Sequence, residues 1–479
     1  MGEIRSPYFS IDPEHLEDYH GDNAGVHSSY FSAADYHGED AEIPSGTFFH
    51  QDNIVENPYN AENFVEQDIL QNTYNAEKLI QREEFEELVP DALRESNEAI
   101  YTPQKVSIGP IHHGKENLQP MNKKKKSYLK EFGSRVGETS EQHVKFLEKI
   151  WDTIKNEEEN IRQRYENGSR EVAESDRFVK MVLRDAVFIL EYLLRNKEYP
   201  KEYGDDSLLR RNELRFRIQQ DLLLLENQLP FFILEKLYDH LRQDGKGSYN
   251  SFLNLAYDYF NRYNKSPYKP SDKEILHFTD LVRSSLSFKH PDTRSDEPIG
   301  NFYSATKLHE AAINFKKSRN ECLLDVRFSS TKRELRIPRL QIDDHTELLF
   351  GNLIALEWSH YKGEDQYICH YVKLLETLVA RPKDVDLLIK NNIIDTKRDG
   401  ASVRDMIAKL SAETTEEYSI YYNLYKQLDK DYQNSWLKNS AYFREVYFGN
   451  LWRSTATVSA TLLLLFTLVQ TICAVLSLR

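Results

Sequence analysis

Cysteine is scarce in this chain: Cys322, Cys369 and Cys473 are the only three in 479 residues, and they lie far apart. At most one disulfide can form, which excludes a disulfide-stapled extracellular module. No Gly-x-Ser-x-Gly elbow occurs, and Gly245-Lys246-Gly247-Ser248 lacks the upstream glycine and spacing of a phosphate-binding loop. The opening Met1-Gly2-Glu3-Ile4-Arg5-Ser6-Pro7 contains no apolar stretch, so no cleavable signal peptide is expected. Gly2 and Ser6 meet a loose myristoylation pattern, but Glu3 and Pro7 argue against lipidation. Charge, finally, is absent from Ser454 to Leu478.

Those 25 uncharged residues include the run Leu462-Leu463-Leu464-Leu465-Phe466, with Gln470 as the one strongly polar side chain. At about 1.5 Å per residue such a helix crosses a hydrocarbon core of roughly 30 Å with room for tilt. Trp452 and Arg453 stand where an interfacial aromatic and a snorkelling cation belong. A buried core helix is the alternative, and it would need neighbours on every face. The expectation is a tail anchor at 454–478, with the body in the cytosol at the plasma membrane or an endomembrane.

Acidity is concentrated at the other end. Residues 1–100 hold 23 Asp and Glu against 4 Lys and Arg, a net of −19, so the −15 of the whole chain leaves residues 101–479 near +4. Residues 1–84 read as a poorly ordered acidic arm with crude repetition: Asp18-Tyr19-His20-Gly21 echoes Asp35-Tyr36-His37-Gly38. The repeats are too few and too polar to bury a stacked core. Such an arm is either inert or a docking segment for a basic partner, its carboxylates steering and its aromatics anchoring.

The body, residues 85–450, reads as mainly α. Ser140–Arg164 places Val144, Phe146, Leu147, Ile150, Trp151, Ile154 and Ile161 near helical spacing. Phe178–Leu194 and Leu222–Leu234 are apolar enough to be interior, with Phe232 among the core residues. Pro230 predicts a kink or a fresh helix start, because it lacks a backbone donor. Asp343–Trp358 and Tyr367–Val379 are further helices. One small β-hairpin is expected, from Leu323–Phe328 to Leu335–Leu340. The fold class is therefore a large helical domain with a small hairpin, a disordered acidic arm and one transmembrane helix.

Chemistry is hard to find. His309-Glu310-Ala311-Ala312-Ile313 lacks the second histidine of a zinc-protease helix, and His112-His113 are adjacent, so their side chains diverge. No metal, cofactor, nucleic acid or small-molecule substrate is expected. Lys123–Lys126 with Lys130 read as the solvated face of a helix. Asp185, Glu191, Asp221 and Glu226 sit in apolar surroundings, where a carboxylate is costly unless paired. Each is expected to meet an Arg, an Asn or a helix terminus.

The order of several blocks resembles a known family. Ser107-Ile108-Gly109-Pro110-Ile111-His112-His113-Gly114 opens the series, followed by Leu118-Gln119-Pro120-Met121. Next come Met181 with Asp185, Phe188 and Glu191, then Asp221 to Phe232 with Glu226, Asn227, Gln228 and Pro230. His277 with Asp280 to Arg283, Asn352 to Glu357, and the closing Trp452 complete it. The chain resembles the plant family catalogued as domain of unknown function 247 over about residues 85–478. The resemblance implies a helical, single-pass plant protein anchored at its C-terminus, with no catalytic residue to carry over. One grass branch of that family is linked to self-incompatibility.

The reading that follows is a membrane-anchored interaction or recognition module, not an enzyme, touching the bilayer and an unidentified protein partner. The rival is a membrane-tethered enzyme, which should gather His112, His113 and acidic groups in an open pocket.

Overall fold

The computed structural model describes residues 89–477, with interruptions at 138, 166–173, 200, 202, 244–250, 264–274, 287–302, 321, 413, 415–418 and 434–450. The acidic arm at 1–84 lies outside the described residues. The first half begins with α1 (Asp91–Ser96), α2 (Gln119–Val136), α3 (Ser140–Asn156) and α4 (Glu158–Gln163). It continues with α5 (Ser175–Glu198), α6 (Asn212–Asp221), α7 (Phe231–Gln243), α8 (Phe252–Tyr259) and α9 (Phe278–Leu286).

Helix α5 is the axis of this half, with 16 of its 24 residues buried. Helices α2, α3, α7 and α8 pack against it. The span expected over Ser140–Arg164 is two helices, α3 and α4, separated at Glu157. Thr139 starts α3 through a reciprocal cap: its hydroxyl accepts from the Gln142 amide (3.3 Å), and the Gln142 side chain accepts from the Thr139 amide (3.2 Å). Phe146, Ile150 and Ile154 face the core, while Val144 is exposed. The i, i+4, i+8 spacing sets that stripe, and Val144 lies off it.

The block Leu222–Leu234 is not one helix. Helix α6 ends at Asp221, nine residues follow in turns, and α7 opens at Phe231 directly after Pro230. The fresh start expected at Pro230 is what occurs. Phe231 is fully buried among Phe252 and Phe278, with ring centroids at 5.0 and 6.2 Å. Phe232, expected in the core, is only half-buried and lies under Lys236. Consecutive helical residues are about 100° apart, so both rings cannot face the same interior.

The second half opens with α10 (Ala305–Glu310), β1 (Asn314–Lys317), β2 (Arg327–Ser329), β3 (Glu334–Ile337) and β4 (Leu340–Ile342). Then come α11 (Thr346–His360), α12 (Tyr367–Leu378), α13 (Pro382–Lys390), β5 (Ile394–Thr396), α14 (Gly400–Ser411) and α15 (Tyr422–Gln433). The expected hairpin exists as β2 and β3, but it is shorter and belongs to a three-stranded sheet of order β1-β3-β2. Strand β1 runs parallel to β3. Its sequence, Asn-Phe-Lys-Lys, buries one side chain in four and offers no alternation to read. Leu340, placed in the hairpin by sequence, instead starts a parallel pair with β5. That pairing needs a long crossover, here the helices α11 to α13.

The final helix, α16 (Leu451–Ser477), contains one segment long and apolar enough to cross a membrane, Ser454–Ala474. Leu462, Leu463, Leu464, Leu465 and Phe466 are all exposed, with Leu464 at 72%. None of the segment's most apolar window is buried. The side chains of Trp452 and Arg453 lie outside the described residues.

The two phenylalanines beside Pro230 give a direct test. Phe231→Ala should cost about 3–5 kcal/mol, the usual range for a buried aromatic. Phe232→Ala should cost less than half as much, and Pro230→Ala should be milder than Phe231→Ala. Chemical denaturation of the detergent-solubilised chain measures all three.

Candidate functional site

The residues singled out by sequence converge on two stretches of backbone that are neither helix nor strand. One runs from Gln104 to Gly114 and the other from Leu222 to Pro230; Val106 to Pro110 and the whole second stretch are buried. Buried amides and carbonyls without partners are costly, so every one of them poses an accounting question. Here side chains supply the answers.

Asp221, at the end of α6, accepts from three successive amides: Gln104 (3.0 Å), Lys105 (2.6 Å) and Val106 (2.8 Å). Asn227 accepts from the Ile108 amide (2.7 Å) and donates to the carbonyls of Val106 (2.9 Å) and Asp221 (2.8 Å). Asp185 on α5 accepts from the Gly109 amide (2.9 Å). Lys125 on α2 donates to both Asp185 and the Ser107 carbonyl. Gln228 donates to the carbonyls of Leu222 and Leu224 (2.8 Å each) and accepts from the Phe278 amide (3.2 Å). Asn352 on α11 accepts from the Leu225 amide at 2.9 Å.

The four carboxylates picked out by sequence are all buried and all paired. Glu191 meets Arg135 (2.8 Å) and Arg195 (2.6 Å), and Glu226 meets Arg94 and the Val89 amide (3.1 Å). Burial pushes the Asp221 carboxyl up to about 6, against the pull of its three amide donors. Lys125 corrects the reading of the lysine run. It is buried at 2% exposure, while Lys123, Lys124, Lys126 and Lys130 are exposed. Its position, in register with Met121 and Tyr128 on the inner face of α2, was the available signal.

Gly109 has φ +73° and no room for a side chain: a Cβ there would lie 2.6 Å from the Gln228 carbonyl oxygen. Tyr165 donates to the same oxygen at 2.7 Å. Gly114 also has positive φ, +86°, but nothing lies within 4 Å of its Cβ position. Pro110 is buried beside Gly109, and its carbonyl accepts from the His113 amide at 3.0 Å.

His112 and His113 separate, as adjacent residues must. His113 is half-buried, whereas His112 is 2% exposed with its Nε2 3.7 Å from Glu226. Among the described residues, neither ring nitrogen of His112 has a hydrogen-bond partner. Burial first, then Lys115 and Arg94, hold its imidazole down at about 3, so it is neutral. An acid–base pair thus exists geometrically, but it is sealed in the core. Chemistry on a substrate needs access that this pair lacks.

A second buried network, which sequence reasoning touched only through the family blocks, crosses the other half. Arg283 donates to Glu357 (2.8 Å), stacks on Tyr361 (3.4 Å from ring centre), and donates to the Asp365 carbonyl. Glu357 accepts from the first amides of α12, Ile368 (2.9 Å) and Cys369 (2.9 Å). It therefore caps that helix as well as pairing with arginine. His277 accepts from the Asp280 amide (3.3 Å), while Asp280 accepts from the Leu276 amide (2.9 Å), so the pair caps α9. Burial pushes His277 down to about 3 and His360 to about 4. Among the described residues, no group of three or more His, Cys, Asp or Glu is placed to hold a metal ion, and all three cysteines are free.

These are the residues of a helical plant family. The model of the family described as plant protein of unknown function (DUF247) matches residues 87–466, and the chain belongs to that family. It is similar to UPF0481 protein At3g47200 of Arabidopsis thaliana, 26% identical over 434 residues, covering 81% of this chain and 86% of that one. A shorter similarity is to the Putative UPF0481 protein At3g02645 of the same plant, 23% identical over 171 residues, 35% of this chain and 32% of that one. No solved structure matches the chain.

Two predictions follow from this core. Gly109→Ala should leave little soluble folded protein, because both the φ and the Gln228 contact forbid a methyl group. Gly114→Ala has only the φ against it and should cost about 1 kcal/mol; circular dichroism melts distinguish the two. The second concerns pH. His112, His277 and His360 have folded pKa values below the ordinary 6.5, so their contribution is present above about pH 6.5 and is lost as pH falls toward 3–4. Asp221 and Glu357, whose carboxyls burial raises, work in the opposite sense, while the lowered His345, Glu131, Glu157, Glu158 and Asp206 side with the three histidines. Unfolding free energy should therefore decline steadily below pH 6.5, with a shallower slope in His112→Phe.

Proposed function

We propose that this protein is a single-pass membrane-anchored interaction module. The observation that carries the proposal is α16, whose apolar segment Ser454–Ala474 is uncovered by the other described residues. A helix apolar all round is at home in a core or a bilayer, and among the described residues no core encloses it. What supports an interaction role over catalysis is the use made of the conspicuous polar residues. Asp221, Asn227, Gln228 and Asp185 are spent on backbone amides and carbonyls, and Glu226 and Glu191 on arginine. The acidic arm supplies a segment suited to a basic protein partner. Recognition in cell signalling or self-incompatibility is the finer form of this proposal. A membrane-tethered enzyme is the rival, and its strongest support is the neutral His112 beside Glu226.

The anchor is tested by truncation. A chain ending at Phe448 should be released by carbonate extraction, while the full chain stays with the membrane pellet. If the truncated form also pellets, a second membrane contact exists and the single-pass reading fails. Sidedness is read from the sequons Asn167-Gly168-Ser169 and Asn264-Lys265-Ser266, which lie outside the described residues. With the body in the cytosol both stay unmodified. A glycosidase-sensitive mobility shift abolished by Asn167→Gln with Asn264→Gln would place the body in the lumen instead.

A further inference from the structure

The small sheet breaks a rule of strand pairing. In register across its three strands, Lys316 of β1 lies opposite Arg336 of β3, and Arg336 lies opposite Arg327 of β2. All three side chains are exposed on one face. Like charges directly opposite one another destabilise a sheet, and here the row holds nothing but cations. Glu334 meets Lys316 (2.6 Å) and Arg336 (2.9 Å), and Asp325 meets Arg327 (2.5 Å), so two carboxylates are shared among three.

The row does not stand alone. With Lys317, Arg319 and Lys332 it lines a cleft of about 700 Å³, where Asp325 is the single acidic wall residue among the described residues. No ion pair joins Lys317, Arg319 or Lys332 to a carboxylate among the described residues. Residues 314–339 carry eight Lys and Arg against three Asp and Glu, in a chain whose net charge is −15. A local charge of that sign, concentrated in a concave wall of low dielectric, focuses potential on whatever enters.

We infer that this cleft binds a multiply phosphorylated anion of small size, such as an inositol phosphate or the same headgroup carried on a lipid. Arginine forks and lysine ammonium groups at fixed strand spacing suit several phosphates at once. A single carboxylate ligand would leave most of the three cations that have no ion pair among the described residues, Lys317, Arg319 and Lys332, unanswered. Bound phosphates also relieve the repulsion within the row, which accounts for a local rule being broken at this one place. The inference goes beyond the anchoring role and holds whether or not α16 enters a bilayer.

Isothermal titration calorimetry on the full chain in detergent tests it, with inositol hexakisphosphate as the soluble probe. Saturable binding is expected, and Lys317→Gln/Arg319→Gln/Lys332→Gln should weaken it by about a thousandfold, since charge-assisted hydrogen bonds are worth about tenfold each. The control removes equal charge elsewhere: Lys123→Gln/Lys124→Gln/Lys126→Gln, on the exposed face of α2. Arg336→Gln should lower affinity while leaving the melting temperature unchanged or raised, a pattern that loss of folding cannot produce. Nanodiscs holding phosphatidylinositol bisphosphate, matched in charge by phosphatidylserine discs, tell the two sources apart. Preference for the phosphoinositide discs over the soluble probe assigns a lipid headgroup, and the reverse assigns a free ligand. Absence of saturable binding in both arms, or equal weakening by the α2 control, overturns the proposal.

Discussion

Irregular backbone in the interior is the constraint on which this structure turns. Helices satisfy their own amides and carbonyls; the stretches Gln104–Gly114 and Leu222–Pro230 cannot, yet the core is built around them. Asp221, Asn227, Gln228 and Asp185 act as surrogate ladder partners, each replacing bonds a neighbouring strand would have made. Removing one does not loosen a surface contact. It strands at least one buried donor or acceptor, at about 1–3 kcal/mol for each.

The same constraint explains the buried charges. Lys125 with Asp185, and Arg283 with Glu357, are pairs that desolvation alone would make expensive. Each pair also holds backbone: Lys125 the Ser107 carbonyl, Asp185 the Gly109 amide, Glu357 the first turn of α12. The ionic groups therefore set the path of the chain, and an apolar replacement of equal volume would fill the space without holding the amides. Identity matters at these positions because hydrogen-bond geometry, rather than volume, is what they supply.

Helices were legible from sequence where one face is apolar and the other charged, as in α3, and where the run is apolar on most faces, as in α5 and α11. The buried carboxylates were legible too, since an acid in an apolar run must find a partner. Their partners were not. Arg94 reaches Glu226 across 132 residues, and Val106 reaches Asp221 across 115, distances at which local pattern carries no information. Strands β1, β4 and β5 were missed because three or four residues with one or two buried positions show no period. The lysine run misled for a related reason: four consecutive cations read as a solvated face, although every helix turns one residue in four inward. The cation row on the sheet required register, which only the fold supplies.

The contact between Glu226 and Val89 has a mechanical consequence. Val89 is the first described residue, and its amide is bonded to the same carboxylate that holds Arg94. Glu226 in turn belongs to the stretch ending at Pro230, from which α7 begins. Load applied through the acidic segment preceding Val89 is therefore delivered to the centre of the helical body rather than to its rim. A pull there strains the joint between α6 and α7 first, where the molecule's interior depends on side chains instead of regular hydrogen-bond ladders.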